Sequence, residues 1–266
     1  MRLIHEVARR LKSMPAMMSF GATFGDKLKL GFLPWFYPLH RVLGFQLRPV
    51  SARIRAFKRA ATLTFWSDEH YAAFCEIFIQ GDYSHPVNDP KIIVDVGANV
   101  GIATAYFSCR YPSATIHALE PDPSSFRRLV VQTKQFPNVS CWNVAVSGSN
   151  GTLEFYSSKN SLSSSIFRRS PSDVVVDVKT CTLDSFAKSH AIKKIDFLKF
   201  DVEGAEWAMF GGSWKTPIHF FIGEYHEDLV GKPLDSFVKL FSGFSIVTRK
   251  LYAKRYVIRG TLDGKN

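Results

Sequence analysis

The chain has 266 residues, of which 46% are hydrophobic and 21% charged, and its formal net charge is +11 at pH 7. This composition excludes a disordered chain, a collagen-like fibre and a coiled coil, and the length suits one large domain with an extension. The four cysteines include no Cys-x-x-Cys pair, which argues against a disulfide scaffold or a zinc ribbon and favours a reducing compartment.

The positive charge is concentrated at the two ends of the chain. Residues 1–60 hold 12 Lys and Arg residues and 2 Asp and Glu residues, a net charge of +10. Residues 61–228 hold 14 Lys and Arg residues and 19 Asp and Glu residues, a net charge of −5. The apolar spacing over Ile4–Leu11 predicts a short amphipathic helix, and no apolar run is long enough to span a bilayer. We therefore expect a cytoplasmic protein whose N-terminus makes peripheral contact with anionic membranes; the alternative is a basic surface that only keeps the protein soluble.

The elements before residue 90 are irregular. Pro34 and Pro38 interrupt the aromatic segment Leu28–Phe45 and predict that it is not one long helix. Its aromatic side chains either lie at a membrane interface or, in the preferred interpretation, pack beneath the main domain. In residues 46–66, polar and apolar side chains alternate in places, which predicts two strands. Ser67 is the predicted N-cap of a helix that reaches Ile79.

From Lys91 onward, strand and helix patterns alternate. Repeated β–α units predict a doubly wound, mostly parallel sheet. We expect three regions: a basic, aromatic extension (1–50), a strand and helix region packed on the core (51–90) and the main α/β domain (91–266). The predicted strands are Ile92–Val96, Thr115–Leu119, Val139–Val146, Thr152–Tyr156, Val174–Val178, Ile195–Phe200, His219–Glu224, Phe244–Val247 and Tyr256–Arg259, and the predicted helices are Ile102–Arg110, Ser124–Phe136 and Ala205–Phe210.

A glycine-rich turn follows the first strand of this region and precedes a helix, which is the context of a nucleotide-binding loop. In Val94-Asp-Val-Gly-Ala-Asn-Val-Gly101, Gly97 permits a sharp turn and Gly101 a close approach of the helix start. Glu120, at the end of the next strand, can accept both ribose hydroxyls of a nucleoside. Together these residues predict an adenosine-containing cofactor.

The loop favours S-adenosylmethionine over a dinucleotide. Asn99 takes the place of the second glycine of the dinucleotide pattern, and Asp95 would repel phosphates but suits a cofactor with a cationic amino-acid end. A dinucleotide-binding oxidoreductase is the alternative.

Charged residues also follow the strands Ile195–Phe200 and His219–Glu224. Asp201, Glu203, Glu224 and His226 are expected to meet at the carboxyl edge of the sheet, where ligands bind in open α/β folds. His226 is the first candidate for a general base, because an imidazole with a pKa of ~6.5 is largely neutral near pH 7, and Asp201 is the second. The same four side chains can alternatively hold a hard divalent cation; their spacing is not a fixed metal motif, so we name no metal ligand from the sequence.

Taken in order, these motifs resemble the FkbM family of S-adenosylmethionine-dependent methyltransferases. The resemblance covers roughly Lys91–His226 and leaves the first 50 residues unexplained. It implies a class I methyltransferase fold, and O-methylation of sugar or natural-product hydroxyls. The residues that carry it are Val94–Gly101, Ala118–Asp122, Thr182–Asp184, Asp196–Glu206 and Glu224-x-His226.

The interpretation of the residues themselves agrees with this resemblance on the site. Asp95, Gly97 and Asn99 would hold the methionine end of the cofactor, Glu120 the ribose, and residues 143–146 the adenine. The full set of implied cofactor residues is Asp95, Gly97, Asn99, Gly101, Glu120, Pro121, Asp122 and Ala145, and the catalytic set is His226, Asp201 and Glu224.

The predicted function is S-adenosylmethionine-dependent O-methylation of a small-molecule or glycan acceptor. The alternatives are an RNA or protein methyltransferase, a NAD-type oxidoreductase, and a non-catalytic module that keeps a nucleoside pocket. No Asn-Pro-Pro-Tyr-like motif of an amide-nitrogen methyltransferase is present, and no nucleic-acid partner is expected.

Overall fold

The computed structural model describes residues 13–43, 48–84, 87–158, 165–212 and 214–264, with the backbone alone at 36–43. The predicted amphipathic helix at Ile4–Leu11, and the membrane contact inferred for it, lie outside these residues. Within the described part of the chain, no helix combines the length and apolar character that crossing a membrane requires.

The N-terminal elements form a layer of helices and a hairpin. Helix α1 (Phe24–Leu43) precedes an antiparallel hairpin of β1 (Val50–Ala56) and β2 (Arg59–Phe65), which confirms the predicted pair of strands. Helix α2 (Asp68–Phe74) continues as a π-helical segment, Cys75–Gln80. Ser67 occupies the N-cap position as predicted, but its side chain makes no capping hydrogen bond.

The prediction that Pro34 and Pro38 prevent one long helix is wrong, because α1 is continuous over 20 residues. A proline at position 34 removes the N–H that would bond to the carbonyl of Leu30. The hydroxyl of Tyr71 donates to that carbonyl oxygen instead, at 2.9 Å. Leu30 and Leu33 are buried against the domain, so packing and the replacement hydrogen bond stabilise a helix that the sequence alone disfavours.

The α/β region contains two sheets and short helices. Its strands are β3 (Ile92–Val96), β4 (Thr115–Leu119), β5 (Val139–Trp142), β6 (Ala145–Val146), β7 (Gly151–Ser157), β8 (Val174–Cys181), β9 (Ile195–Phe200), β10 (Ile218–His226), β11 (Phe244–Tyr252) and β12 (Arg255–Leu262). Its helices are α3 (Ile102–Arg110), α4 (Pro123–Thr133), α5 (Leu183–Ser189), α6 (Glu206–Phe210), α7 (Glu227–Val230) and α8 (Leu234–Val238).

The main sheet has the strand order β5-β4-β3-β9-β10-β12-β11. Strand β12 pairs antiparallel with both neighbours, and the other four pairings are parallel, which agrees with a mostly parallel, doubly wound sheet. The single strand predicted over Val139–Val146 is wrong, since β5 lies in the main sheet and β6 in a small sheet with β8 and β7. The side chain of Asn143 donates to the carbonyl of Glu120 at 2.8 Å, so the chain leaves the main sheet between β5 and β6.

Each face of the main sheet has its own hydrophobic core. On one face, side chains such as Phe197 and Phe220 pack against α3, α2 and the β1–β2 hairpin. On the other face, Leu198 and Phe221 pack against α5, α6 and α8. Neighbouring residues of β9 and β10 thus point to opposite cores, as strands covered on both sides require.

Gly223 in β10 provides a test of how tightly the second core is packed. A Cβ atom there would lie 2.3 Å from ring atoms of Phe200, and both residues are buried. We expect Gly223→Ala to lower the free energy of unfolding by about 1–3 kcal/mol, the usual effect of overpacking. Urea denaturation followed by circular dichroism measures this, with Gly212→Ala as control because no atom of the described residues lies within 4 Å of a Cβ added there. Equal stability of the two variants would contradict the packing argument.

Candidate active site

The turn after β3 lies directly against the end of β9. Gly97 has φ +72°, and a Cβ atom on it would lie 1.8 Å from the carbonyl oxygen of Asp201. The N–H groups of Gly97 and Ala98 both donate to the carbonyl of Leu119 at 2.9 Å. Only glycine fits this position, because any side chain would displace the backbone at Asp201.

A buried ion pair between Lys199 and Asp95 contacts this turn and stabilises it. The Nζ atom of Lys199 lies 3.1 Å from Oδ1 of Asp95, with the two side chains 3% and 0% exposed. Lys199 also donates to the carbonyl of Gly97 at 2.7 Å, and the hydroxyl of Thr104 donates to Asp95 at 2.6 Å. Burial alone would lower the pKa of Lys199, but the carboxylates of Asp95 and Asp201 raise it, so the lysine keeps its charge.

Glu120 lies at the end of β4 beside the turn. Its Oε2 accepts a hydrogen bond from the N–H of Asn99, and its Oε1 accepts one from the N–H of Asp122, both at 2.8 Å. Burial raises the pKa of Glu120 to about 8, although the two backbone hydrogen bonds oppose this shift. The carboxyl group is therefore fixed in orientation and titrates near neutral pH.

Five of the eight predicted cofactor residues line one pocket: Gly97, Asn99, Glu120, Pro121 and Ala145. We call this pocket the donor pocket. Besides these five residues, it includes an apolar surface and the backbone that follows β9. Its other lining residues are Val96, Val144, Val146, Phe155, Ile166, Asp201, Val202, Glu203 and Ala205. The donor pocket thus combines a carboxyl group with an apolar wall.

The other three predicted cofactor residues, Asp95, Gly101 and Asp122, do not line the pocket, and their contact with a cofactor stays a prediction. Asp95 is fully buried in its pair with Lys199. Gly101 begins α3 with φ +87°, where a Cβ atom would lie 2.8 Å from Leu129.

Asp122 is the N-cap of α4. It accepts from the N–H of Ser125 at 2.9 Å and from the hydroxyl of Ser157 at 2.7 Å, so its side chain is a structural cap.

His226 lies at the centre of a group of carboxylates at the carboxyl edge of the sheet. Its Nε2 atom is 3.6 Å from Glu203, 3.8 Å from Glu224 and 4.0 Å from Asp201. We call Asp201, Glu203, Glu224 and His226 the acidic–imidazole cluster. The structure therefore brings together the residues that the sequence places at the ends of β9 and β10, although His226 itself is fully buried.

A larger cavity of about 490 Å³ opens beside the cluster. Asp201, Glu203 and Glu224 line it, and His226 lies behind them. This acceptor-side cavity shares Gly97, Asn99, Asp201 and Glu203 with the donor pocket. Two ligands bound in these spaces would meet at that shared wall.

Residues 95–238 match the model of the FkbM methyltransferase domain. The chain belongs to this family. The match spans more than half of the 266 residues, and with the strand order it confirms the class I methyltransferase fold expected from the sequence. The chain is accordingly a methyltransferase, and the oxidoreductase and non-catalytic alternatives are set aside.

Three similar proteins bear methyltransferase names. The 2-O-methyltransferase NoeI of Sinorhizobium fredii is 27% identical over 60% of this chain and 74% of its own length. Methyltransferase 1 of Beauveria bassiana is 31% identical over 52% of this chain and 64% of its own. The hexuronic acid methyltransferase AglP of Haloferax volcanii is 27% identical over 52% of this chain and 57% of its own.

The electrostatics of this FkbM-family site change the interpretation of His226. Burial alone would lower the pKa of its imidazole, but a 2.6 Å hydrogen bond to Glu206 and the neighbouring carboxylates raise the pKa to about 9. The argument for His226 as general base assumed a neutral imidazole near pH 7, and the raised pKa removes that argument. Burial and the charge of Asp201 likewise raise the pKa of Glu203 to about 7 and of Glu224 to about 8.

Sequence reasoning missed three residues that shape this cluster. Glu206, fully buried, orients His226 through Nδ1. Arg169 and Arg255 place guanidinium groups 2.8 Å and 3.5 Å from Oε2 of Glu203. Glu206 belongs to the quoted Asp196–Glu206 motif and so carried a usable signal, whereas nothing in the sequence singled out the two arginines.

The buried pair beneath the turn yields a prediction. We expect Lys199→Met to lower the free energy of unfolding by about 3–5 kcal/mol, because it leaves the Asp95 carboxylate buried and unpaired. In the double variant Lys199→Met/Asp95→Asn, the free energy of unfolding should fall by much less than the sum of the decreases in the two single variants. Urea denaturation of the four proteins in a double-mutant cycle measures the coupling. Additive losses would show that the ion pair contributes nothing of its own.

Proposed function

We propose that this protein transfers the methyl group of S-adenosylmethionine to a hydroxyl group of a sugar or of another natural product. The observation that carries the proposal is the wall shared by the donor pocket and the acceptor-side cavity. Methyl transfer is an in-line displacement, so holding the acceptor oxygen against the donor carbon supplies much of the rate. Two cavities that meet at Gly97, Asn99, Asp201 and Glu203 suit that geometry.

The donor pocket fits S-adenosylmethionine in its residue types. Glu120 would accept hydrogen bonds from the ribose hydroxyls, and Val144, Ala145 and Val146 would contact the adenine. The absent side chain of Gly97 lets the turn pack directly against the backbone of Asp201, so that both residues lie in the pocket wall. When bound, S-adenosylmethionine supplies an electrophilic methyl group on a positively charged sulfur.

The acceptor class is inferred from the relatives. The name of NoeI specifies a 2-O-methyltransferase, and the name of AglP specifies a hexuronic acid. The cavity of about 490 Å³ is of the size that small-molecule ligands occupy, and its lining combines charged and polar side chains with apolar ones. A hydroxyl-rich acceptor such as a sugar or glycan unit suits these surroundings, and no observation favours a nucleic acid.

The acceptor hydroxyl must lose its proton as the new C–O bond forms. We propose that Glu224 takes this proton in its ionised form, which its raised pKa of about 8 makes the minor form at pH 7 and the major form above pH 8. Its carboxylate lines the acceptor-side cavity but not the donor pocket, and its side chain keeps 25% of its surface exposed. His226 lines neither space, and Asp201 lines both, so Glu224 is the member of the cluster that an acceptor reaches without entering the donor pocket.

The activity itself is tested with S-adenosylmethionine carrying a deuterated methyl group and a panel of uronic acids, neutral sugars and glycans. Mass spectrometry of the products should show the labelled methyl group on an oxygen atom, with S-adenosylhomocysteine formed in equal amount. Label found on nitrogen or carbon of an acceptor would overturn the O-methyltransferase proposal. Binding of S-adenosylhomocysteine by calorimetry tests the donor pocket separately.

Glu120 should control affinity for the cofactor. We expect Glu120→Ala to weaken binding of S-adenosylhomocysteine by about tenfold or more, because a charge-assisted hydrogen bond contributes roughly 1.5–3 kcal/mol. The wild-type affinity should rise with pH up to about 8, since the buried carboxyl is protonated below that value and only its ionised form accepts from both hydroxyls. Calorimetry across this pH range measures both effects.

The control for this measurement is Glu154→Ala, which removes an exposed carboxylate on β7. This variant should keep the wild-type affinity and its pH dependence, whereas Glu120→Ala should lose the pH-dependent part. Wild-type affinity in Glu120→Ala would remove Glu120 from the donor pocket.

Glu224 should be needed for turnover rather than for cofactor binding. We expect Glu224→Gln to lower kcat by ~10²–10⁴, the usual contribution of a general base, while the affinity for S-adenosylhomocysteine stays at the wild-type value. Steady-state kinetics on the acceptor found above and calorimetry measure the two quantities, with Glu154→Gln as the matched control. A normal kcat in Glu224→Gln would assign the proton transfer to another group.

A further inference from the structure

We propose that Asp201, Glu203 and His226 form a binding site for a divalent cation of the Mg²⁺ or Mn²⁺ type. Their ligand atoms all lie within 4.8 Å of one another. The site would lie at the wall shared by the donor pocket and the acceptor-side cavity, because Asp201 and Glu203 line both. It goes beyond the methyl transfer proposed above, and its test does not depend on that activity.

The first argument is the position of the imidazole. His226 is fully buried, and its Nε2 atom has no hydrogen-bond partner among the described residues, which is costly for a polar atom inside a protein. That atom faces carboxylate oxygens of Asp201, Glu203 and Glu224 at 3.6–4.0 Å. Oδ1 of Asp201 is likewise buried without a hydrogen-bond partner. One ion between these atoms would satisfy both.

The second argument is the partner of the other ring nitrogen. Nδ1 of His226 lies 2.6 Å from Oε1 of Glu206, and that carboxylate is itself held by the N–H of Gly204 at 3.1 Å. Histidines that bind metals usually donate their second N–H to a carboxylate, which fixes the ring and leaves the first nitrogen free for the metal. Glu206 is thus a positioning residue for His226.

The third argument is distance. Two ligand atoms that each lie about 2.1 Å from one ion can be at most about 4.2 Å apart. The separations of Nε2 from Glu203 (3.6 Å) and from Asp201 (4.0 Å) fall within this limit. Carboxylate oxygens with one imidazole nitrogen are ligands that Mg²⁺ and Mn²⁺ accept, whereas the cluster contains no thiolate that would select a softer metal.

The fourth argument is charge. With a neutral imidazole and all four carboxyl groups ionised, the state that a bound cation favours, the side chains of Asp201, Glu203, Glu206 and Glu224 carry four negative charges. The guanidinium groups of Arg169 and Arg255 near Glu203 supply two positive charges, which leaves an excess of two. A divalent cation matches that excess and would take the place of the proton on Nε2.

The full chain is treated with EDTA, dialysed and then titrated with MnCl₂. The electron paramagnetic resonance signal of free Mn²⁺ measures how much of the ion is bound. We expect one strong site in the wild type. Asp201→Asn should weaken Mn²⁺ binding by about tenfold or more, and Glu206→Gln by about 10–100-fold through the ring it orients. Glu154→Gln, which alters an exposed carboxylate on β7, should leave the binding unchanged.

A measurement on the wild type alone keeps the proposal testable if a variant does not fold. Electron spin-echo spectra of the Mn²⁺-loaded protein should show nitrogen modulation from the imidazole of His226. Absence of Mn²⁺ binding, or binding without nitrogen modulation, would overturn the site and identify His226 as an imidazolium paired with carboxylates. Calorimetry of S-adenosylhomocysteine on the metal-free protein tests the donor pocket separately, so either result leaves the methyltransferase proposal to its own test.

Discussion

Lys199 and Asp95 form an ion pair in the interior of the sheet, where neither charge would be stable without the other. The pair joins β3 to β9, and the lysine continues to the carbonyl of Gly97. Because that turn touches the backbone of Asp201, with no room for a side chain between them, the two strand ends hold a fixed relative position. The donor pocket and the acceptor-side cavity both take part of their lining from this junction, so their geometry depends on it.

The acidic–imidazole cluster follows from strand register. In the parallel pair β9 and β10, Phe200 is opposite Gly223, so the next residues, Asp201 and Glu224, lie side by side at the carboxyl edge. The missing side chain of Gly223 leaves space for the ring of Phe200, which allows the two strands to reach the edge together. Burial, followed by repulsion from the neighbouring carboxylate of Asp201, raises the pKa values of Glu203 and Glu224.

The sequence predicted what depends on strand periodicity and on strand ends. The parallel strands, the Gly97 turn, the place of Glu120 and the convergence of Asp201 with Glu224 all follow from that pattern. The sequence could not show which buried charges pair with each other. Asp95 resembles a ligand contact until Lys199 is found beside it, and Asp184 of the quoted Thr182–Asp184 motif accepts hydrogen bonds from the backbone of Lys215 and Thr216. The raised pKa of His226 likewise depends on Glu206, whose orientation only the folded chain reveals.

The linings of the two cavities come from different parts of the chain. Every residue that lines the donor pocket lies between positions 95 and 238, the segment that matches the FkbM methyltransferase domain. More than half of the residues around the acceptor-side cavity lie outside that segment, on α2 and the π-helical turn at one end and on the β11–β12 hairpin at the other. An ion pair between Arg249 and Asp82 joins these two flanks at 2.8 Å. On the proposed function, the flanks on either side of the matched segment would therefore determine which acceptor binds, whereas the matched segment alone would hold the cofactor.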